Sequence, residues 1–269
     1  MKVLLSTMLL AVPGSASWAE PKPSTLAQLQ HYLVRVEQRI AHEQSSTTTF
    51  LPEVGETAKA RLRAGEVLVK RSIAVEVKDG LIHHWTGTVF LPGATLDEVQ
   101  AVVADIGSFP RHYSPEVISA RVVSRSPQGS LIAMRLKKDL VITVVLDAEY
   151  QVEFGRLDAR HQYSASRSVR IREVRNFGKP GESYVPEGEE HGFLWSMNSY
   201  WRYVQAEDGV YIRCESVSLS RDIPFGMGWL IGPIVNGLPR ESLRSTLEAT
   251  RRAVLQQPRV SISSLERSR

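Results

Sequence analysis

A single cysteine, Cys214, occurs in the 269 residues, so no disulfide forms within the chain and the fold rests on its packed core. Flanked by strand-like residues, Cys214 reads as a small buried hydrophobe in preference to a catalytic thiol. P-loop, G-x-G-x-x-G, H-E-x-x-H and G-x-S-x-G sequences are also missing. Their absence removes the usual sequence grounds for nucleotide binding, zinc hydrolysis and Ser/His/Asp catalysis. His83 and His84 are adjacent, so as strand neighbours they point to opposite faces and do not readily grip one metal. Neither a metal nor another cofactor is expected. No basic run is interleaved with aromatics, which disfavours nucleic acid as a partner. The net charge of +4 is spread along the chain with acids mixed in, a balance that favours an anionic surface or ligand.

Long apolar runs are missing as well, with one short one at the start. Lys2 precedes the apolar segment Val3–Val12, Pro13-Gly14 breaks it, and Ser17-Trp18-Ala19 places small residues where a signal peptidase reads. The pattern predicts a signal peptide over 1–19, cleaved after Ala19, and export to the periplasm of a Gram-negative bacterium. The alternative is an uncleaved anchor, for which the run is short, since a spanning helix needs about 20 apolar residues. A helical extension is expected over 20–65, one domain over 66–257 and a loose tail over 258–269.

Within the extension, Leu26, Leu29, Leu33, Val36 and Ile40 recur at helical spacing over 24–45, with Ser24 as the expected cap. A shorter helix is expected near 55–64. From residue 66 the period changes to two. A hairpin turns at Asp79-Gly80, and a Thr95-capped helix carries Leu96, Val99, Val102 and Val103 on one face. A short helical turn follows at 109–115. Strands are then expected over 117–126, 130–138, 140–154, 160–175, 193–205 and 210–221, with one long loop at 178–192. A final helix is expected over 239–257, opened by Pro239. Consecutive strands with segregated helices mean α+β.

Alternation predicts an inside. Val144, Leu146 and Tyr150 share one face of strand 140–154, with Asp147, Glu149, Gln151 and Glu153 on the other. Arg170 and Arg172 are expected to pair with those acids. That parity puts Tyr163 and Arg167 inside, where a buried arginine needs a partner or an anion; a one-residue slip in register would put Arg167 outside. Trp195, Met197 and Trp201 share a parity taken as inward, as do His83 and Trp85. Each is either ordinary core or cavity lining, and His83 either a satisfied core histidine or a catalyst. Trp229 lies in a glycine- and proline-broken apolar segment that reads equally as a plug under the last helix or as a mobile lid.

Three stretches carry a family resemblance: Gly87-Thr88-Val89-Phe90-Leu91-Pro92 leading into the Thr95 helix, Asp105-Ile106-Gly107-Ser108-Phe109-Pro110, and Arg221-Asp222-Ile223-Pro224 before the last helix. With the order of elements, the chain over 75–256 resembles the START-type helix-grip (SRPBCC) superfamily. The resemblance implies a curved antiparallel sheet wrapped around a long C-terminal helix. Two short helices would follow the first core strands, and the N-terminal helix would be extra. It also implies a cavity between sheet and helix for a lipid, quinone, sterol or polycyclic compound, and it supplies no shared catalytic motif. The lining expected is His83, Trp85, Val144, Leu146, Tyr150, Tyr163, Arg167, Trp195, Met197, Trp201 and Trp229. The expected role is an exported binder or carrier of a hydrophobic small molecule, in transient contact with a membrane surface. The alternatives are a cyclase, hydrolase or isomerase that uses His83, Arg167 and Tyr163 together, and a non-catalytic envelope interaction module.

Overall fold

The computed structural model describes residues 20–51, 54–139, 143–222 and 228–257. The expected signal peptide over 1–19, Leu140, Ile142, the stretch 223–227 and the tail 258–269 lie outside the described residues. Helix α1 (Pro23–Gln44) starts on Pro23, whose fixed φ suits the first helical position, so Ser24 sits inside the first turn and does not cap it. Helix α2 (Glu56–Arg63) follows. Strands β1 (Leu68–Val77) and β2 (Gly80–Pro92) form the expected hairpin, turned at Asp79 with φ 61°. Helix α3 (Leu96–Val103) begins with a full capping box: Glu98 N donates to Thr95 Oγ1, and Thr95 N donates to Glu98 Oε2. A 3₁₀ turn at Ile106–Ser108 leads into the single-turn helix α4 (Phe109–His112).

The remaining strands are β3 (Val117–Ser126), β4 (Gly129–Asp139), β5 (Thr143–Asp158), β6 (His161–Arg175), the two-residue β7 (Ser183–Tyr184), β8 (Ser196–Ala206) and β9 (Gly209–Arg221). They join β1 and β2 in one antiparallel sheet of order β1-β2-β9-β8-β6-β5-β4-β3, with β7 beside β6. Helix α5 (Gly228–Leu255) closes the chain. It begins well before Pro239, so Pro233 and Pro239 lie within it and the Trp229 segment is already helical. An interior proline costs a helix about 3 kcal/mol. Burial of Leu243, Leu247 and Val254 against the sheet, at about 2 kcal/mol each, outweighs one such cost.

The faces of the sheet follow from Gly87. A Cβ placed there would run into Leu247 Cδ1 and stand 3.1 Å from Leu243 Cγ, so odd residues of β2 face α5. The antiparallel register carries this concave face to even residues of β9, odd residues of β8, and even residues of β5 and β4. Trp85, Val89, Ile212, Cys214 and Tyr203 pack there with Leu243, Leu247 and α3. Cys214 is thus a core residue, and burial raises its thiol pKa well above the ordinary value. The convex face is covered by α1, whose Leu29, Leu33, Val36 and Ile40 pack on Ile82, Tyr200, Val217 and Leu219. The helix-grip α+β fold expected from the sequence is the fold observed. Gly87→Ala is expected to destabilise the protein by about 1–3 kcal/mol through overpacking, read as a lower urea midpoint.

Candidate ligand-facing interior

Two rows of side chains cross the middle of the concave face. One runs His83, Ser218, Met197, Ser168, Tyr150 and Ile132. The other runs Trp85, Ser216, Ser199, Ser166, Val152 and Ser130. Leu243 and Leu247 lie over the next row, at Gly87, and Arg251 further along α5 reaches the Gly65 carbonyl ahead of β1. The helix therefore runs from the His83 end of the sheet toward the Leu91 end. Three residues toward the edges of the two rows are buried: His83 is 2% exposed, Trp85 9% and Tyr150 1%. Their middle, at Met197, Ser199, Ser166, Ser168 and Ser216, is only half-buried, as is Trp201 one row away. A floor more open than its rim means unfilled space over the centre of the sheet.

Among the described residues, three polar atoms of the rim have no hydrogen-bond partner: His83 Nδ1, Trp85 Nε1 and Tyr150 Oη. The other nitrogen of His83 meets Ser220 Oγ at 3.0 Å. Burial, with the nearby Arg71 charge, lowers the His83 pKa from 6.5 to about 4, so the ring is neutral near pH 7. Burial raises the Tyr150 hydroxyl above its ordinary range, so it stays protonated. Buried polar groups are nearly always paired, and three orphans on one face mark a place for a ligand's polar groups or for water. The serines of β6 and β9 make this interior more polar than the aromatic parity of β8 suggests.

Most expected lining residues share this face: His83, Trp85, Leu146, Tyr150, Met197 and Trp201, with half-buried Val144 at the β5 end. Three do not. Tyr163 and Arg167 lie on the convex face. The expected pairing of Arg170 with Glu149 (2.8 Å) is present, and Arg172 stands opposite Asp147, yet Val169 is an extra residue in β6 between the partners of Glu149 and Tyr150. This bulge reverses the parity of everything before it in the strand, so Ile171 faces inward while Arg167 faces out. Arg167 binds Glu37 of α1 at 2.7 Å and Glu153 at 3.1 Å. Trp195 precedes β8 and packs with the α1 cluster, because α1 offers a second apolar cover on that side. The side chain of Trp229 lies outside the described residues. His83 is thus separated by the sheet from Arg167 and Tyr163, and the three do not form one acid–base site.

The sequence reading missed a buried ionic network under α1. Glu215, 2% exposed, accepts from His84 Nε2 at 2.7 Å and from Arg39. His84 Nδ1 lies 2.6 Å from Tyr32 Oη. Arg202, fully buried, contacts Glu43 at 2.7 Å and donates to the Phe50 carbonyl at 2.9 Å and to Glu215 at 3.5 Å. Burial pushes the Glu215 carboxyl up, but the His84 hydrogen bond and the Arg39 charge outweigh it and bring the pKa to about 2. The signal for this network was present in β8 and β9, where Arg202, Arg213 and Glu215 occupy the parity opposite the aromatics.

No protein-family model and no curated protein sequence matches the chain. Solved structures do resemble it. One is the STAR-related lipid transfer protein (fragment 25–204) from Xanthomonas axonopodis, at 19% identity, covering 69% of this chain and 99% of that one with a TM-score of 0.44. Human STARD10 aligns at 10% identity over 81% of this chain and 85% of its own, with a TM-score of 0.48. The Zhui aromatase/cyclase from Streptomyces sp. R1128 aligns at 17% identity over 68% and 98%, with a TM-score of 0.41.

Proposed function

We propose that this chain binds and carries a hydrophobic small molecule that bears polar groups, held between the concave face and α5. The observation that carries the reading is the trio of unpaired polar atoms, His83 Nδ1, Trp85 Nε1 and Tyr150 Oη, at the rim of a half-open floor. The aromatic and aliphatic surface of Trp85, Trp201 and Met197 supplies apolar contact, and the trio and the serines supply orientation. Ligand sites commonly combine these two elements. The N-terminal pattern of Lys2, an apolar run and Ser17-Trp18-Ala19 supports export, and with it carriage of the ligand in the periplasm.

The test is to purify the mature protein from its native envelope, extract it, and identify co-purifying molecules by mass spectrometry. A reproducible apolar compound with oxygen functions is expected, and an interior that returns only solvent would overturn the reading. Tyr150→Phe separates binding from folding. Removing an unpaired buried hydroxyl leaves the empty protein as stable as before or up to about 1 kcal/mol more stable. The same change is expected to weaken the extracted compound's binding by about tenfold, the loss of one hydrogen bond. Arg167→Ala, on the other face, should leave binding unchanged.

A further inference from the structure

A cavity of about 430 Å³ opens at the edge of the sheet, between α2, β1 and α5. Five cationic side chains line it: Arg61, Lys70, Arg213, Arg240 and Arg244. Among the described residues no carboxylate does. Arg61 is already held by Glu66 at 2.8 Å, and Arg240 stands 3.8 Å from exposed Glu241. Arg244 contributes its field to Glu66 but makes no hydrogen bond among the described residues. Lys70 and Arg213 have neither hydrogen bond nor ion pair there.

Arg213 is the anomalous member. It sits on β9 directly opposite Arg202 of β8 and Thr88 of β2, and its Nε is buried without a partner. The network under α1 explains why it is left over. Arg39, Arg202 and Arg213 are three cations, while Glu43 and Glu215 are two anions, and both anions are taken up by Arg39 and Arg202. Burial, with repulsion from Arg202, lowers the pKa of Arg213. Glu215 and Glu43 attract Arg213 from a distance but form no ion pair with it. An arginine whose Nε is buried without a bonded carboxylate is costly to fold around, and it is retained where an anion arrives to meet it. The Thr86 and Thr88 side chains, both buried, form the adjacent wall.

We propose that this edge cavity is a binding site for a phosphate group, with Arg213 and Lys70 as its principal contacts and Arg244 closing it from α5. Arginine forks match phosphate oxygens in pairs, and several cations around one group suit a dianion better than a carboxylate. The volume leaves room for an organic substituent on the phosphate, which allows either a soluble phosphate ester or a lipid headgroup reached at a membrane surface. The site wraps round the β1 edge of the sheet, shares no lining residue with the two rows of the ligand-facing interior, and does not depend on how that interior is used.

The experiment measures binding of inorganic phosphate to the mature protein by calorimetry, with chloride at equal ionic strength as the reference. In a second arm, the protein is sedimented with phosphatidylcholine vesicles, with and without about one-fifth phosphatidylglycerol. Phosphate is expected to bind, and the double variant Arg213→Met, Lys70→Met to bind it at least about tenfold more weakly. Circular dichroism should show the variant folded, because it removes an unpaired buried charge. The double variant Arg125→Met, Arg156→Met, with exposed substitutions on β3 and β5, serves as the charge-matched control and should bind as the parent does. Vesicle binding that needs phosphatidylglycerol and is lost in the double variant assigns the site to a lipid headgroup; phosphate binding without it assigns the site to a soluble ester. Equal phosphate binding by parent and double variant, or an effect no larger than that of chloride, overturns the proposal.

Discussion

Glu215→Gln is expected to destabilise the protein by about 4 kcal/mol, within the range found when one partner of a buried ion pair is removed. The substitution keeps the shape of the side chain and deletes the charge on which Arg39, His84 and Arg202 converge. Arg202 is fully buried and cannot turn to water, so the loss is not relieved by rearrangement. At about 2–4 °C per kcal/mol for a chain of this size, the melting temperature should drop by roughly 10 °C. A drop under about 1 kcal/mol in urea unfolding would show that the network holds little of the fold. The double variant Arg213→Met, Glu215→Gln should recover part of the loss, because it also removes a cation left uncompensated; strict additivity would contradict that coupling.

His83 should make stability depend on pH in a defined window. Its pKa is about 4 in the folded protein against 6.5 in an unfolded chain. Between these values the unfolded chain binds a proton that the folded one refuses, so stability falls as pH falls from 6.5 toward 4 and levels off below. The full swing is up to about 3 kcal/mol. Glu215 acts in a separate, lower window. Its folded pKa of about 2 lies below the usual 4.5, so its contribution is present above 4.5 and is lost as pH falls toward 2. Unfolding followed across pH 4–7 should show the first slope in the parent and a flattened one in His83→Gln. A slope unchanged in that variant would assign the titration elsewhere.

How much of this was legible in the sequence depended on which surfaces were wet. In β5 the acids at 147–153 meet solvent and the even residues meet the core, so alternation gave the face directly. The Thr95 cap and the apolar face of α3 could be read for the same reason, being local. Val169 shows the limit: one bulged residue reversed the inference for Tyr163 and Arg167, although the pairing of Arg170 with Glu149 was foreseen. The convex faces of β8 and β9 were not read from the sequence, and α1 covers them. A helix known to be amphipathic does not announce which residues it will meet, and so Arg202, Glu215 and the leftover Arg213 stayed hidden. Pro239 likewise suggested a helix start that tertiary packing overrode.

The placement of α1 has a consequence for the order in which the sheet comes apart. Strands β2, β9 and β8 lie between α5 on one side and α1 on the other. Strands β3 and β4 have half-buried or exposed residues along most of their length, and β3 is an outer edge. Amide protons in the doubly covered strands therefore exchange with solvent only when the whole molecule opens. Those of β3 exchange through local fraying at much lower free energy. The chain thus consists of a slow-exchanging slab with a loosely attached flank, and the unfilled floor between His83 and Tyr150 lies where the two meet.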